Sequence, residues 1–346
     1  MFKKRFGDYS LKHFQRDLTA GLIVGLVALP LAMAFAIASG VEPENGLYTA
    51  IVAGILISLL GGSRFQIGGP TGAFVPLLLS IVTIYGFDNL LVAGFLAGCF
   101  LVLMGLLKLG SLIDYVPRPV VIGFTAGIAV IIFTGQIANF LGLTGVKSHP
   151  EFLDNMGELI RHLDTVNVYA VITAVLGLTI QLMTSRWLPK IPGPLAGLVV
   201  SSLAAYLLYP GQVRTIGSAY GQLTASLPVP KLPDLSLDTV QLMLVPALLI
   251  AALGGIESLL SATVADSMTG DRHHSNRELI GQGVANIAAP LFGGIPATGA
   301  IARTATNIRS GATSRLSGVI HGLVVLLIMV VLAPLASHIP LASLAP

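Results

Sequence analysis

The chain has 346 residues, of which 54% are hydrophobic and 10% are charged, and its mean hydropathy is +0.86. Soluble domains carry about 25% charged residues, so this composition excludes a soluble globular protein and predicts a polytopic membrane protein. The net charge of +3 comes from basic residues spread over short loops without interleaved aromatic residues, so no nucleic-acid partner is expected. The single cysteine, Cys99, excludes a disulfide framework.

Hydropathy and helix breakers predict eleven helices. The N-terminal residues 1–16 are basic and amphipathic, and the first apolar run has no small-residue cleavage site, so we expect a retained helix. The predicted helices cover residues 18–38, 46–61, 72–86, 89–108, 119–141, 165–184, 193–209, 240–267, 278–292, 299–309 and 315–337. Two of them, 72–86 and 299–309, are too short to cross a bilayer alone.

Each of these two short helices follows a copy of the same motif. Residues 68–74 read Gly-Gly-Pro-Thr-Gly-Ala-Phe, and residues 293–300 read Gly-Gly-Ile-Pro-Ala-Thr-Gly-Ala. Secondary transporters are built from such repeats, and their broken helices meet near the bilayer midplane. We therefore predict two extended stretches that reach the midplane and continue as half-helices. The alternative is that the motif kinks two ordinary helices.

The basic residues are distributed unevenly over the predicted loops. Fourteen of the nineteen Lys and Arg residues fall on the side of the N-terminus, and Arg303 lies within the second half-helix. This bias predicts a multi-pass protein of the inner (plasma) membrane with a cytoplasmic N-terminus. The residues on the opposite side are Lys147, Arg161, Arg214 and Lys231.

The predicted helices divide the chain into repeats. Residues 1–16 form a cytoplasmic segment, 17–209 a first inverted repeat of seven helices, 210–239 an extracellular loop, and 240–346 an incomplete second repeat. Residues 142–164, with an amphipathic stretch around 151–162, and 210–239 are expected to form ordered extracellular caps. The last residues are typical of a helix start, so we expect a truncated chain that lacks about three helices of the second repeat.

The chemistry is expected where the two half-helices begin. Helices running in opposite directions from the midplane face each other with unsatisfied N–H groups and about half a positive charge each. Two such ends form an anion site. Thr71 and Thr298 add hydroxyl donors, and Gly72 and Gly299 allow a ligand to approach the backbone closely.

Two ionisable residues lie within apolar stretches near this site. Glu257 is mid-span in the eighth predicted helix, where inserting a charge costs about 2.5–3.5 kcal/mol. We expect it to carry a proton or bind a cation with help from Ser258 and Ser261, the alternatives being a structural carboxylate and ordinary helix packing. Arg303 is expected to add positive charge or pair with Glu257, the alternative being that it extends to the cytoplasmic interface.

No catalytic constellation stands out in the sequence. The residues show no nucleophile–base pair and no metal-ligand spacing, so no enzyme activity, metal or cofactor is expected. The glycine-rich motif after residue 67 lacks the Lys-Ser/Thr pair of a phosphate-binding loop.

Six motifs spread along the whole chain carry a family resemblance. They are residues 17–21, 28–36, 69–72, 255–261, 278–283 and, most specifically, 293–303 with 307–311. Together they resemble the SulP anion transporters, also called the sulfate permease family. The resemblance implies an all-α fold of fourteen helices in two inverted repeats, an elevator-like motion of a core against a gate domain, and a C-terminal STAS domain that this chain lacks.

The resemblance also implies site residues and partners. It implies a full-length homodimer in membrane lipid that moves a small inorganic or organic anion. By position, the substrate-site residues are Leu31, Phe35, Thr71, Gly72, Ala73, Glu257, Ser261, Ala300, Ala302 and Arg303.

The expected function is secondary active transport of sulfate, bicarbonate or a C4-dicarboxylate such as fumarate, with H⁺ as the coupling ion. Bicarbonate transporters of the family place an Asp for Na⁺ where this chain has Glu257, which favours H⁺ over Na⁺ coupling. The alternatives are sodium-dependent bicarbonate symport, an uncoupled anion channel or exchanger, and a nucleobase permease. A permease would be expected to place a second acidic residue in the tenth helix, where this chain has Ala and Arg.

Overall fold

The structure is a computed structural model that describes residues 9–111, 118–147, 149, 151–188, 192–221 and 229–345. These residues are mainly helical, with two short strands. The elements are α1 (Leu11–Ala38), α2 (Pro43–Leu60), β1 (Gly68–Gly69), α3 (Val75–Tyr85), α4 (Phe87–Leu106), α5 (Arg118–Leu141), α6 (Phe152–Arg161), α7 (Val168–Trp187), α8 (Gly193–Leu208), α9 (Ile216–Tyr220), α10 (Leu237–Thr269), α11 (Ser275–Leu291), β2 (Thr298–Gly299), α12 (Ile301–Arg309), α13 (Leu316–Ala336) and α14 (Leu341–Leu344).

The predicted all-α fold is confirmed, and each of the eleven predicted helices is present. The amphipathic stretch expected around 151–162 is α6, and α14 lies where a helix start was expected, whereas α9 was not predicted. The prediction that the first helix begins at residue 18 is wrong, because the Ser10 hydroxyl caps a helix that begins at Leu11. Of the predicted cytoplasmic segment 1–16, residues 1–8 lie outside the described residues.

Five helices in the described ranges are long and apolar enough to cross a membrane, namely α1, α2, α4, α7 and α10. Four further apolar stretches are shorter: Val75–Tyr85, Ala126–Leu141, Gly193–Leu208 and Leu316–Val331. The short length of α3 agrees with its prediction as a half-helix. These apolar helices make the chain a membrane-spanning protein.

The helices pack in two groups. In the first group, α1, α2 and α13 pack together, α4 packs on α10 and α11, and α12 packs on α1 and α10. Its core includes the fully buried Leu90, Leu101, Ile250 and Leu279. In the second group, α7 packs on α8 and on α5, and α14 contacts α5, α7 and α8. The two strands lie within the first group, where β1 contacts α2 and β2 contacts α10.

The strands bring the duplicated motifs together. They pair antiparallel, with Gly68 opposite Gly299 and Gly69 opposite Thr298. Because each strand leads into a short helix, α3 and α12 leave the pairing in opposite directions, as predicted. The predicted helix starts at 72 and 299 are wrong. Residues 71–74 form a turn, in which the Phe74 N–H donates to the Thr71 carbonyl at 3.3 Å, and residues 298–299 belong to β2.

Candidate functional site

The two threonines of the duplicated motifs both bond to α10. The Thr71 hydroxyl donates to Glu257 Oε2 at 3.1 Å, and the Thr298 hydroxyl donates to the Gly254 carbonyl at 3.0 Å. Glu257 and Gly254 are almost one turn apart on α10, so this helix lies beside both motifs. Thr71 and Thr298 are buried. The structure therefore brings the predicted Thr71, Thr298 and Glu257 together.

Arg303 lies next to the β1–β2 pair, against Gly69. Its side chain is buried at 2% exposure, so it does not extend to the membrane interface. Its Nη2 donates to the Pro70 carbonyl, its Nη1 has no hydrogen-bond partner among the described residues, and it forms no ion pair with Glu257. A Cβ on Gly69 would lie 2.5 Å from Nη1, and the φ of +150° at this position also favours glycine. The glycine thus makes room for the guanidinium against β1.

The predicted serine ligands have other partners than Glu257. Ser258 donates to the Gly255 carbonyl of its own helix at 3.1 Å, and Ser261 donates to the Thr304 hydroxyl of α12 at 3.3 Å. Both serines are fully buried. In this structure they tie α10 to itself and to α12, and they do not form one oxygen cluster with Glu257.

The remaining predicted site residues lie around the β1–β2 pair and differ in burial. The Ala300 N–H donates to the Ile67 carbonyl at 2.8 Å and is already satisfied. Ala73 is buried, whereas Ala302 lies on the exposed face of α12. Leu31 and Phe35 are half-buried on α1. Only Phe35 of this pair is shown beside the turn that precedes α3, since a Cβ on Gly72 would lie 3.2 Å from its Cε1 atom.

A cavity of about 150 Å³ lies next to this turn. We call it the α6 cavity, because residues of α6 line one wall. A Cβ on Gly72 would lie 2.1 Å from Ile132 Cδ1 of α5, and Ile132 also lines the cavity with Phe35. These two apolar side chains therefore lie between the cavity and Gly72. Its other walls include Val75, Leu79, Gln136 and Met156.

Two fully buried carboxylates were missed by sequence reasoning, which singled out Glu257 alone. Glu278 accepts hydrogen bonds from the N–H groups of Gly62 and Ser63 at 2.7 and 3.0 Å, and from Nε2 of Gln66 and Gln282, both at 2.9 Å. Its position in the first turn of an amphipathic helix is typical of an exposed residue. Three of the four donors come from the α2–β1 connection, which no local pattern reveals, and Gln282 lies one turn later on α11.

The second missed carboxylate is Asp17 of α1, which is fully buried. It accepts from the Tyr9 hydroxyl at 2.7 Å and from the N–H groups of Thr313 and Ser314 at 2.6 and 3.1 Å. Glu278 links α11 to the segment before β1, and Asp17 links α1 to the segment after α12. Their full sets of donors indicate structural roles.

The site combines features that suit a small anion. Two helix N-termini and one guanidinium provide positive potential, while Glu257 provides one ionisable carboxyl group that can exchange a proton or hold a cation. The surrounding core is apolar, which strengthens electrostatic interactions relative to water.

Comparison with known proteins gives the same fold. Solved structures that resemble the chain include the transmembrane domain of a cyanobacterium bicarbonate transporter BicA, with a TM-score of 0.87 and 33% identity over 97% of this chain and 86% of that chain. A structure of SLC26A9 matches with a TM-score of 0.84 at 18% identity, covering 98% of this chain and 57% of that chain. The second match supports the fold alone.

Curated relatives cover nearly the whole chain. It is 60% identical over 345 residues to YvdB of Bacillus subtilis (strain 168), whose name assigns it provisionally to the sulfate transporters, with 100% of this chain and 65% of YvdB covered. It is 33% identical to the bicarbonate transporter BicA of Picosynechococcus sp., with 96% and 60% covered, so the chain spans less than two thirds of these relatives' length. Residues 14–346 match the model of the sulfate permease family. The chain therefore belongs to the sulfate permease family.

Proposed function

We propose that the chain forms the membrane-spanning unit of a secondary active transporter for a small anion. The observation that carries this proposal is the antiparallel pairing of β1 and β2, which sets the N-terminal ends of α3 and α12 beside the buried Arg303. Sulfate, bicarbonate and a C4-dicarboxylate such as fumarate are the proposed substrates. The names of YvdB and BicA support the first two.

The proposed anion site lies between the two half-helices. The N–H groups and dipoles of two helix ends favour a negative charge, and Arg303 adds a full positive charge that is held in place by Pro70. Phe35 and Ile132 lie between Gly72 and the α6 cavity. In this proposal the helix ends bind the anion without covalent chemistry, as expected of a transporter rather than an enzyme.

Glu257 is the proposed coupling residue, with H⁺ as the coupling ion. When the carboxyl group is ionised, it accepts the Thr71 hydroxyl proton in a hydrogen bond. When it takes up a proton, its remaining carbonyl oxygen is a weaker acceptor, so the Thr71 hydroxyl can turn to donate to an anion at the helix end. A proton and an anion would then bind together, which is the requirement for symport. Motion of the first helix group against the second would expose the site to either side.

The membrane setting is also part of the proposal. The bias of basic residues supports an inner-membrane protein with a cytoplasmic N-terminus, which places α6 and the α6 cavity on the extracellular side. In this proposal membrane lipid surrounds the chain. The full-length protein is proposed to form a homodimer, as the family resemblance implies.

Sodium-coupled bicarbonate transport is the second candidate, because BicA is 33% identical and superposes closely. A carboxylate beside a threonine hydroxyl would also suit Na⁺. An uncoupled channel or exchanger would use the same anion site without the titration of Glu257.

The test is uptake of radiolabelled sulfate, bicarbonate and fumarate into proteoliposomes that contain the full-length protein. An inward proton gradient and an inward sodium gradient are imposed separately. We expect saturable uptake of at least one anion that the proton gradient stimulates. Stimulation by sodium alone would replace H⁺ with Na⁺ in the proposal, and the absence of saturable uptake of all three anions would contradict it.

A further inference from the structure

A buried histidine behind the anion site has no assigned role. His321 lies on α13 and is fully buried, where α13 packs against α1 and α2. The Gly318 carbonyl one turn earlier lies near the ring, but neither ring nitrogen has a hydrogen-bond partner within the described ranges. Buried polar groups in proteins are nearly always hydrogen-bonded, either to protein or to ordered water. We therefore expect at least one ring nitrogen of His321 to have a hydrogen-bond partner.

The His321 ring lies next to strand β1. A Cβ on Gly54 of α2 would lie 3.1 Å from His321 Cε1 and 3.3 Å from the Gly68 carbonyl oxygen of β1. The imidazole and the carbonyl thus flank the same small gap. The next residue of β1, Gly69, is the one against which Arg303 Nη1 packs. The two side chains therefore lie beside consecutive residues of β1.

Arg303 and His321 have complementary requirements. Arg303 Nη1 carries N–H donors without a described acceptor, and a neutral imidazole offers one acceptor nitrogen. A second positive charge beside Arg303 would be unfavourable in this apolar core, so the ring is neutral. One buried water between them would satisfy Nη1 and one ring nitrogen, as ordered waters do at polar sites inside proteins.

We infer that His321 is a positioning residue of the anion site, which fixes the Arg303 guanidinium from behind through one buried water. The Pro70 carbonyl holds the other terminal nitrogen, so the two contacts set the plane of the guanidinium. His321 itself does not touch the anion. This inference rests on the proposed anion transport, and it assigns a residue on α13 to a site built from α3, α10 and α12.

The test compares His321→Leu with His321→Gln in the full-length protein. Leu removes the acceptor but fills the space, and Gln restores an acceptor. We expect His321→Leu to raise KM for the transported anion about three- to tenfold, since it loses one water-mediated contact to a charged group, with little change in maximal rate. His321→Gln is expected to recover most of the affinity. Ser317→Ala, one turn earlier on α13 and also buried, is the matched control and is expected to keep the wild-type KM.

Thermal stability separates this role from a purely structural one. Removing one partner of a buried hydrogen bond destabilises a protein, so we expect His321→Leu to lower Tm and weaken anion affinity together, and His321→Gln to recover both. A lowered Tm with an unchanged KM in His321→Leu, or equal KM values in the Leu and Gln variants, would overturn the inference alone. Failure of the wild-type protein to transport sulfate, bicarbonate or fumarate would overturn both this inference and the proposed function.

Discussion

Asp17, Glu257 and Glu278 are carboxyl groups within the helical core, and they differ in the donors that surround them. Glu278 accepts two backbone N–H bonds and two side-chain amide bonds, and Asp17 accepts several backbone and hydroxyl bonds. Glu257 accepts from the Thr71 hydroxyl. Several fixed donors hold a carboxyl group in place, whereas a rotatable hydroxyl such as that of Thr71 can exchange partners. This contrast separates the proposed coupling residue from the structural ones.

Replacing Glu257 with Gln tests the coupling role. Gln keeps an acceptor for Thr71 but cannot exchange a proton, so we expect proton-driven accumulation of the anion to be abolished. We expect uptake by the wild type to rise as the external pH falls below the internal pH, and we expect this dependence to vanish in the variant. Glu151→Gln, at an exposed residue, is the control. Unchanged uptake with the same pH dependence would contradict the proton-carrier role.

Replacing Glu278 with Ala tests the structural role. Four buried donors would lose their acceptor, so we expect a loss of about 3 kcal/mol or more of stability. The measurement is the thermal unfolding of the purified protein, with Glu151→Ala as the control. A Tm equal to that of the wild type would show that these donors find other partners.

At the scale of elements, the duplicated motifs predict the two half-helices but not where each begins. The sequence places the helix starts at residues 72 and 299, whereas α3 begins at Val75 and α12 at Ile301. The reason is that residues 71–74 form a turn, whereas residues 298–299 belong to the antiparallel pair of β1 and β2, whose partners are more than 200 residues apart. A two-residue strand has no alternation of polar and apolar residues by which it could be recognised.

The contact of α5 with the turn before α3 gives a prediction about access. Ile132 and Phe35 lie between the α6 cavity and Gly72, so a smaller residue 132 should open a path from the cavity to the motif that contains Gly72. We expect Ile132→Ala to increase gradient-independent efflux of anion from loaded proteoliposomes by several-fold. Leu79→Ala enlarges the same cavity away from Gly72 and is expected to leave efflux unchanged. Equal efflux in both variants would exclude Ile132 as the barrier.

At the scale of the whole molecule, composition and hydropathy predict the class and the number of long helices well, because lipid exposure imposes apolar runs of fixed length. Side-chain partners across the fold are less predictable. Arg303 is recognisable from its position after the second motif, whereas His321 lies in an ordinary apolar helix. The burial of His321 against α1 and α2 follows from tertiary packing alone.

In the proposed transporter, the two half-helix ends and Arg303 form one anion site. The most direct measurement is equilibrium binding of sulfate, bicarbonate and fumarate to the purified full-length protein with Arg303→Gln or Arg309→Gln. Arg309 is the matched control, because it lies on the exposed end of the same helix. Losing a charge-assisted hydrogen bond removes about 1.5–3 kcal/mol, so we expect Arg303→Gln to weaken binding at least about tenfold. Arg309→Gln is expected to bind as the wild type does, and equal affinities for the two variants would contradict the account.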